Sequence, residues 1–189
     1  WIGSMKKKKA GKPANGSAME PATLSESRGV RYLHLGTPWI QGAMRRSRPN
    51  QIELDYVRRM MVWMLLVPPG SLGREDDDGR LLEAARGHAV QLGLGAAAIT
   101  KFTRFVLGMR TTAVELNPTV IDACRMWFAL PQDDERLAVL HDDAARYVAD
   151  PAHAGAAQVL TVDLYDHDAA SPVLDDIGFY RGCHAVLAP

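Results

Sequence analysis

Short apolar segments alternate with helical patterns through the second half of the chain, and this alternation constrains the fold more than any other feature. Strands joined by helices favour a parallel β-sheet, because each right-handed crossover places a helix against one face of the sheet. The sequence therefore predicts an α/β domain over residues 70–189. The predicted strands are 89–92, 111–116, 137–140 and 159–163, and the predicted helices are 96–107, 118–128, one starting near 144, and 175–187.

Each of these strands ends in glycine or in a carboxylate. The residues concerned are Gly93 and Gly95 after the first strand, Glu115 at the end of the second, Asp142 and Asp143 after the third, and Asp163 at the end of the fourth. In an open parallel sheet the carboxyl ends of the strands meet at one edge, where ligands bind. This edge is therefore the predicted functional site.

The glycine turn and Glu115 fit the binding of a nucleoside. Glycines let the backbone approach a ligand closely, and the following helix offers free N–H groups. Glu115 ends the second strand 20 residues after Gly95, where an acid accepts hydrogen bonds from ribose hydroxyls. The glycine turn alone is equally consistent with a purely structural connection between a strand and a helix. The glycine turn together with Glu115 also fits the binding of a dinucleotide such as NAD.

The later strand ends carry further acids. One of Asp142 and Asp143 could accept from an adenine amino group, with the Ala144 backbone completing the base contact, or could cap the next helix. After the fourth strand, three carboxylates and one histidine suit a cationic substrate or its proton. They are Asp163, Asp166, His167 and Asp168, and an acidic loop or a metal site are the competing interpretations.

The first part of the chain predicts a small separate unit. Residues 1–28 predict a disordered basic tail with a cloning remnant before Met5. Residues 30–35 and 39–44 predict a β-hairpin, and a helix capped by Asn50 is predicted to run to Pro68. The unit thus covers 29–69. The polar connector that follows contains Asp76–Asp78, which lacks the pattern of a calcium loop.

Charge and composition exclude several classes of protein. Five lysines and no acid lie in the first twelve residues, so residues 13–189 hold 17 basic and 22 acidic residues, a net charge of −5. An acidic body argues against a nucleic-acid surface. No apolar run reaches the roughly 18–20 residues of a membrane span. The two cysteines, Cys124 and Cys183, predict reduced thiols and a cytoplasmic location rather than a disulfide framework.

The ordered motifs resemble the spermidine synthase-like family over about residues 30–189. They are Gln91–Gly95, Ala113–Ile121, Asp142–Ala144 and Val162–Asp166, with Gln41–Arg45 and the helix from Tyr56 to Leu66 as weaker matches. The resemblance implies a Rossmann-like sheet of the class I methyltransferase type. It also implies aminopropyl transfer from decarboxylated S-adenosylmethionine to a polyamine, with release of 5′-methylthioadenosine, no metal, and a homodimer.

By motif position, the resemblance assigns roles to individual residues. Asp163 would accept the proton and Asp166 would help to hold the amine. The donor would be bound by Gln91, Gly93, Gly95, Glu115, Asp142, Asp143 and Ala144, with Glu115 on the ribose and Asp143 on the adenine. The polyamine would be bound by Gln41, Tyr56 and Tyr165.

Three departures from the family pattern keep other functions open. Alanines occupy positions 96–98, where the family's glycine loop carries an aspartate for the donor's ammonium. Arg58 and Arg59 stand near the amine channel. The family normally continues with further strands after the position of Pro189, and without them the fourth strand would lie at an exposed sheet edge. The alternatives are an S-adenosylmethionine-dependent methyltransferase, an NAD-binding oxidoreductase and a non-catalytic homologue. In the methyltransferase, Lys101 would hold the donor carboxylate, unless it is a solvated helix lysine.

Overall fold

One antiparallel and one parallel β-sheet organise the chain. In this computed structural model, residues 19–66, 87–165 and 172–189 are described. The strands are β1 (Ala22–Ser27), β2 (Val30–Leu35), β3 (Gly42–Arg45), β4 (His88–Leu92), β5 (Arg110–Glu115), β6 (Leu137–His141) and β7 (Val159–Val162). The α-helices are α1 (Asp55–Met60), α2 (Ala98–Lys101), α3 (Pro118–Trp127), α4 (Ala144–Ala149) and α5 (Ile177–Val186).

The second sheet is parallel, in the order β6-β5-β4-β7. Alternate residues of its strands face two separate cores. Ala113 packs into the core beneath α3, whereas Val114 packs with α4 and α5 on the opposite face. The predicted α/β fold, with a parallel sheet and helices on both faces, is therefore confirmed.

The first sheet has three antiparallel strands in the order β1-β2-β3, not the two of the predicted hairpin. The prediction that residues up to 28 form a tail is wrong for 22–27, which pair along their whole length with β2. Arg28 and Gly29 both have positive φ, 49° and 74°, as a tight hairpin turn requires. Residues 1–18 lie outside the described part of the chain.

The third strand and the first helix are shorter than predicted. Trp39 and Ile40 lie in the loop before β3, and Asn50 does not cap α1, which begins after Leu54 without a side-chain cap. The Arg58 Nε atom donates to the Ile52 carbonyl at 3.0 Å, which holds the segment before α1 as a turn. After Met60 the helix tightens into a 3₁₀ turn over Met61–Leu65.

The two sheets are joined through α2 and α3. On α1, Val57 packs with Met61 against Ile99 of α2. The Ala22 amide donates to the Thr119 hydroxyl at 3.0 Å at the start of α3. The first sheet and α1 therefore cover the loops at the carboxyl edge of the parallel sheet.

The last helix begins later than predicted. A 3₁₀ turn spans Pro172–Asp175, and Asp176 caps α5 by accepting from the Gly178 amide. After α5, Leu187 forms a parallel bridge with Ala157 beside the start of β7. The predictions for Pro68–Gly70 and Asp76–Asp78 fall outside the described residues.

No helix within the described ranges is long and apolar enough to cross a membrane.

Candidate functional site

A cleft of about 920 Å³ opens at the carboxyl edge of the parallel sheet, beneath the first sheet. Most of the residues predicted for the site line this cleft. They are Gln41, Tyr56, Gly93, Gly95, Glu115, Asp142, Asp143, Ala144, Asp163 and Tyr165. Trp39 and Ile40 add an apolar wall. The structure therefore brings together residues from positions 41 to 165 of the sequence.

The glycine loop after β4 is held in place by close backbone contacts. Gly93 has φ 87°, and a Cβ atom there would lie 2.1 Å from the Asp163 carbonyl oxygen. Gly95 has φ 51°, and a Cβ atom there would lie 3.2 Å from the Gln41 carbonyl oxygen. Side chains at these positions would push the loop away from β7 and from the first sheet, so both glycines are structural requirements of the site.

Gly42 of β3 is a residue of this site that the sequence interpretation did not assign as a spacer. Its Cβ would lie 2.5 Å from the Ala96 backbone nitrogen. A glycine inside a strand is the signal for such a close approach, so its role was readable from the sequence.

Glu115 anchors the same loop at the end of β5. One carboxylate oxygen accepts from the Leu94 amide at 2.8 Å, and the other accepts from the Asn117 amide at 2.8 Å. Burial raises the pKa of Glu115, although these backbone hydrogen bonds oppose the rise. An ionised carboxylate has further lone pairs beyond these two contacts, so Glu115 still has acceptor capacity toward the cleft.

The two acids after β6, Asp142 and Asp143, make different hydrogen bonds. Asp143 caps α4, because its Oδ1 accepts from the Ala145 amide at 2.7 Å and the Arg146 amide at 3.2 Å. Asp142 accepts from Arg146 Nε at 2.6 Å. The Oδ2 atoms of both Asp142 and Asp143 have no hydrogen-bond partner within 19–66, 87–165 or 172–189, so each acid keeps one acceptor atom at this end of the cleft.

Asp163 lies half-buried where β7 ends. The Tyr56 hydroxyl donates to its Oδ2 at 3.3 Å across the cleft. Burial raises the pKa of Asp163, and the Tyr56 hydrogen bond partly counteracts that rise. Burial and the charge of Asp163 in turn raise the pKa of Tyr56, so the phenol stays protonated. Asp166, His167 and Asp168 lie outside the described residues, and Tyr165 is an exposed cleft residue.

A smaller pocket of about 10 Å³ adjoins the cleft beneath the glycine loop. Its polar lining comes from Gln41, Tyr56, Gln91 and Asp163. Gln91 is buried, and the Thr100 hydroxyl donates to its Oε1 at 2.5 Å. Thr100 is a second residue that the sequence interpretation did not assign, because nothing in the pattern distinguishes it from an ordinary helical threonine.

Lys101 does not reach the cleft, and neither of its expected roles is supported. The side chain is fully buried, and its Nζ donates to the Phe128 carbonyl at 2.5 Å at the end of α3. Burial lowers the pKa of Lys101 to about 8. It is therefore neither a solvated helix lysine nor placed to hold a donor carboxylate.

The arginines near the predicted amine channel also point elsewhere. Arg58 pairs with Asp55 at 2.9 Å on the exposed face of α1, and Arg59 is exposed. Neither residue lines the cleft. The two arginines therefore place no positive charge in the lining of the cleft.

Comparison with known proteins gives the relatives of the chain. No family model matches it. A polyamine aminopropyltransferase of Neisseria meningitidis is 30% identical over 166 residues, which are 87% of this chain and 57% of the relative. A polyamine aminopropyltransferase of Chromobacterium violaceum is 29% identical over 173 residues, which are 91% of this chain and 59% of the relative. The chain thus spans less than two thirds of the length of these curated relatives.

Solved structures show the same fold. A probable spermidine synthase from Corynebacterium glutamicum superposes with a TM-score of 0.68 at 19% identity, over 94% of this chain and 62% of that one. Human methyltransferase-like protein 13, solved in complex with SAH, superposes with a TM-score of 0.56 at 20% identity, over 72% of this chain and 62% of that one. The family resemblance of the sequence is therefore confirmed: the chain is similar to polyamine aminopropyltransferases, and it has the class I methyltransferase fold.

Proposed function

We propose that the chain binds decarboxylated S-adenosylmethionine in the cleft and transfers its aminopropyl group to a polyamine nitrogen. The observation that carries the proposal is the pairing of Tyr56 with Asp163 in the same cleft as Glu115. An acid for the nucleoside and a half-buried carboxylate for the proton, on one sheet edge, are what such a transfer needs. The names of the curated relatives support the same reaction.

The donor half of the cleft contains two carboxylates, Glu115 and Asp143, which we assign to the adenosyl group. Glu115 would accept from the ribose hydroxyls with the lone pairs that the loop amides leave available. Asp143 would accept from the adenine amino group with Oδ2, while its Oδ1 caps α4. The Ala144 backbone lies beside it in the cleft lining.

The acceptor half supplies the proton chemistry. A neutral amine nitrogen attacks the carbon next to the sulfonium, the C–S bond breaks, and its electron pair goes to sulfur, leaving a neutral thioether. The proton that the amine sheds passes to Asp163. Burial favours this acceptor role, because a carboxylate with a raised pKa is a stronger base than an exposed one. Asp166 would help to hold the amine.

The first test is calorimetric titration of the chain with 5′-methylthioadenosine, with NAD in parallel. Saturable binding of the thioether alone supports the proposed site, and an aminopropyl-transfer assay then tests the reaction. Asp163→Asn should bind methylthioadenosine normally and lose transfer. Binding of NAD alone would overturn the proposal, and binding of neither would favour a non-catalytic homologue.

A second candidate is methyl transfer from S-adenosylmethionine. One observation favours it: Ala96 and Ala98 line the small pocket, within the segment where the family's glycine loop carries an aspartate for the donor's ammonium. Competition between S-adenosylmethionine and its decarboxylated form for the cleft decides between the two. Tighter binding of the carboxylated donor, with methyl transfer, would replace the aminopropyl assignment. The homodimer and the cytoplasmic location remain predictions, and sedimentation of the purified chain tests the first.

A further inference from the structure

The small pocket beneath the glycine loop has room for one small polar group. Its volume of about 10 Å³ is near the smallest that can hold one water molecule. A buried water also needs two to four polar partners. Gln41, Tyr56, Gln91 and Asp163 supply such partners in the pocket wall.

Gln91 is the partner whose orientation is settled by its neighbour. Thr100 Oγ1 lies 2.5 Å from Gln91 Oε1, within the range of O–H···O hydrogen bonds and shorter than N–H···O bonds. The amide oxygen therefore faces Thr100, which leaves the amide nitrogen as the polar atom that Gln91 can offer to the pocket it lines. Gln91 is only 3% exposed, and its nitrogen has no acceptor among the described residues.

Strand register places Gln91 and Asp163 on the same face of the sheet. Gln91 pairs with Thr161 across β4 and β7, and Asp163 lies two residues further along. From the usual strand spacing and rise, their Cα atoms are about 8 Å apart. A hydrogen-bonded water, about 2.8 Å from each neighbour, spans such a gap once the two side chains extend toward it.

We propose that an ordered water in this pocket accepts a hydrogen bond from Gln91 Nε2 and donates one to the Asp163 carboxylate. Gln91 is then a positioning residue that acts on Asp163 through the water. Tyr56 contacts the same carboxylate from α1, on the opposite side of the cleft. The water site stands on this geometry, and only its consequence for catalysis rests on the proposed aminopropyl transfer.

The water has a measurable electrostatic effect. A hydrogen bond donated to an ionised carboxylate favours the ionised form, so losing it raises the carboxyl pKa. The titratable group that acts on Asp163 from the described residues is Tyr56, which stays protonated. Glu115 and Asp143 share the cleft but do not contact Asp163. A change in the Asp163 titration on altering Gln91 therefore reports the bridge.

The test is a carbon-13 NMR titration of the Asp163 carboxyl group in the full chain, assigned with Asp163→Asn. In Gln91→Met, which keeps the side-chain length but removes the amide, the midpoint should rise by about one pH unit. Gln158→Met is the control, because its amide oxygen accepts from the His88 backbone at the opposite end of the sheet. Its Asp163 midpoint should equal that of the unmodified chain.

A second variant keeps the proposal testable if Gln91→Met does not fold. Gln91→Leu also removes the amide, and the Asp163 midpoint should rise there as well. Unchanged midpoints in the folded variants overturn the proposal, as does a high-resolution crystal structure whose pocket holds no water between the two side chains. Neither measurement needs turnover, so a missing transfer activity together with a shifted midpoint would reject the proposed function and keep the water site.

Discussion

The hydroxyl of Tyr56 donates to the carboxylate of Asp163 at 3.3 Å. This hydrogen bond joins α1 to the end of β7, which lies at one edge of the parallel sheet among the described strands. The two residues lie 107 positions apart in the sequence. The acceptor half of the cleft therefore exists only when the first sheet and α1 are docked onto the glycine loop.

Replacing Tyr56 with phenylalanine should shift the pH dependence of transfer. The Tyr56 hydrogen bond lowers an Asp163 pKa that burial has raised, so its loss raises the pKa further. In the proposed transfer Asp163 acts as the ionised carboxylate, so the acid limb of the pH profile should move to higher pH in Tyr56→Phe. The measurement is kcat against pH, with methylthioadenosine affinity as the control. An unchanged acid limb would show that another group takes the proton.

Replacing Glu115 with alanine should weaken both ligand binding and folding. Two backbone amides would lose their acceptor, at a cost of about 1–3 kcal/mol in the free energy of unfolding. Methylthioadenosine affinity should fall at least tenfold, measured by calorimetry on protein shown to be folded. Glu135→Ala, at an exposed position, is the matched control and should change stability by less than about 0.5 kcal/mol. Full affinity in folded Glu115→Ala would remove the ribose assignment.

Replacing Ala129 with glycine should stabilise the chain. Ala129 follows α3 with φ 54°, a left-handed conformation that costs an alanine about 1 kcal/mol. Its side chain is exposed, so the substitution loses little packing. Urea denaturation should show a gain of about 0.5–1 kcal/mol. The control is Ala149→Gly at the exposed end of α4, where the same substitution should destabilise.

Replacing Lys101 with methionine should remove a pH-dependent cost of folding. Burial lowers the Lys101 pKa to about 8, below the value of about 10.4 in an unfolded chain. Below pH 8 the cost of the buried charge is fully present, and it disappears as the pH rises from about 8 to about 10.4. Stability relative to Lys101→Met should therefore rise by about 3 kcal/mol across that window. A flat difference between the two proteins would show that folding does not shift the pKa of Lys101.

The parallel sheet was predictable because its strands are apolar runs that end at glycine or acid. The strand β1 was not, because only Leu24 in it is a large apolar residue, and it is partly exposed at the sheet edge. Its formation depends on backbone pairing with β2 and on the turn at Arg28 and Gly29. Such pairing leaves no periodic hydrophobic pattern to recognise.

The sequence predicted which residues lie in the candidate site better than it predicted their hydrogen-bond partners. Motif order brought Glu115, Asp143 and Asp163 to one edge, but whether each acid binds a ligand or a backbone amide depends on packing. Asp143 accepts from backbone amides with one carboxylate oxygen and leaves the other available. The inward direction of Lys101 had no signal either, because a lysine in a short helix is usually solvated.

Gly42 and Gly93 limit which substitutions the molecule tolerates. Each stands where an added Cβ atom would meet backbone, at 2.5 Å and 2.1 Å. In a mutational scan scored by activity, both positions should therefore rank beside Asp163, although neither offers a chemical group to a substrate. The absence of a side chain at these two positions therefore sets how closely the glycine loop approaches β3 and the end of β7, and the proposed reaction depends on that spacing as much as on the acid itself.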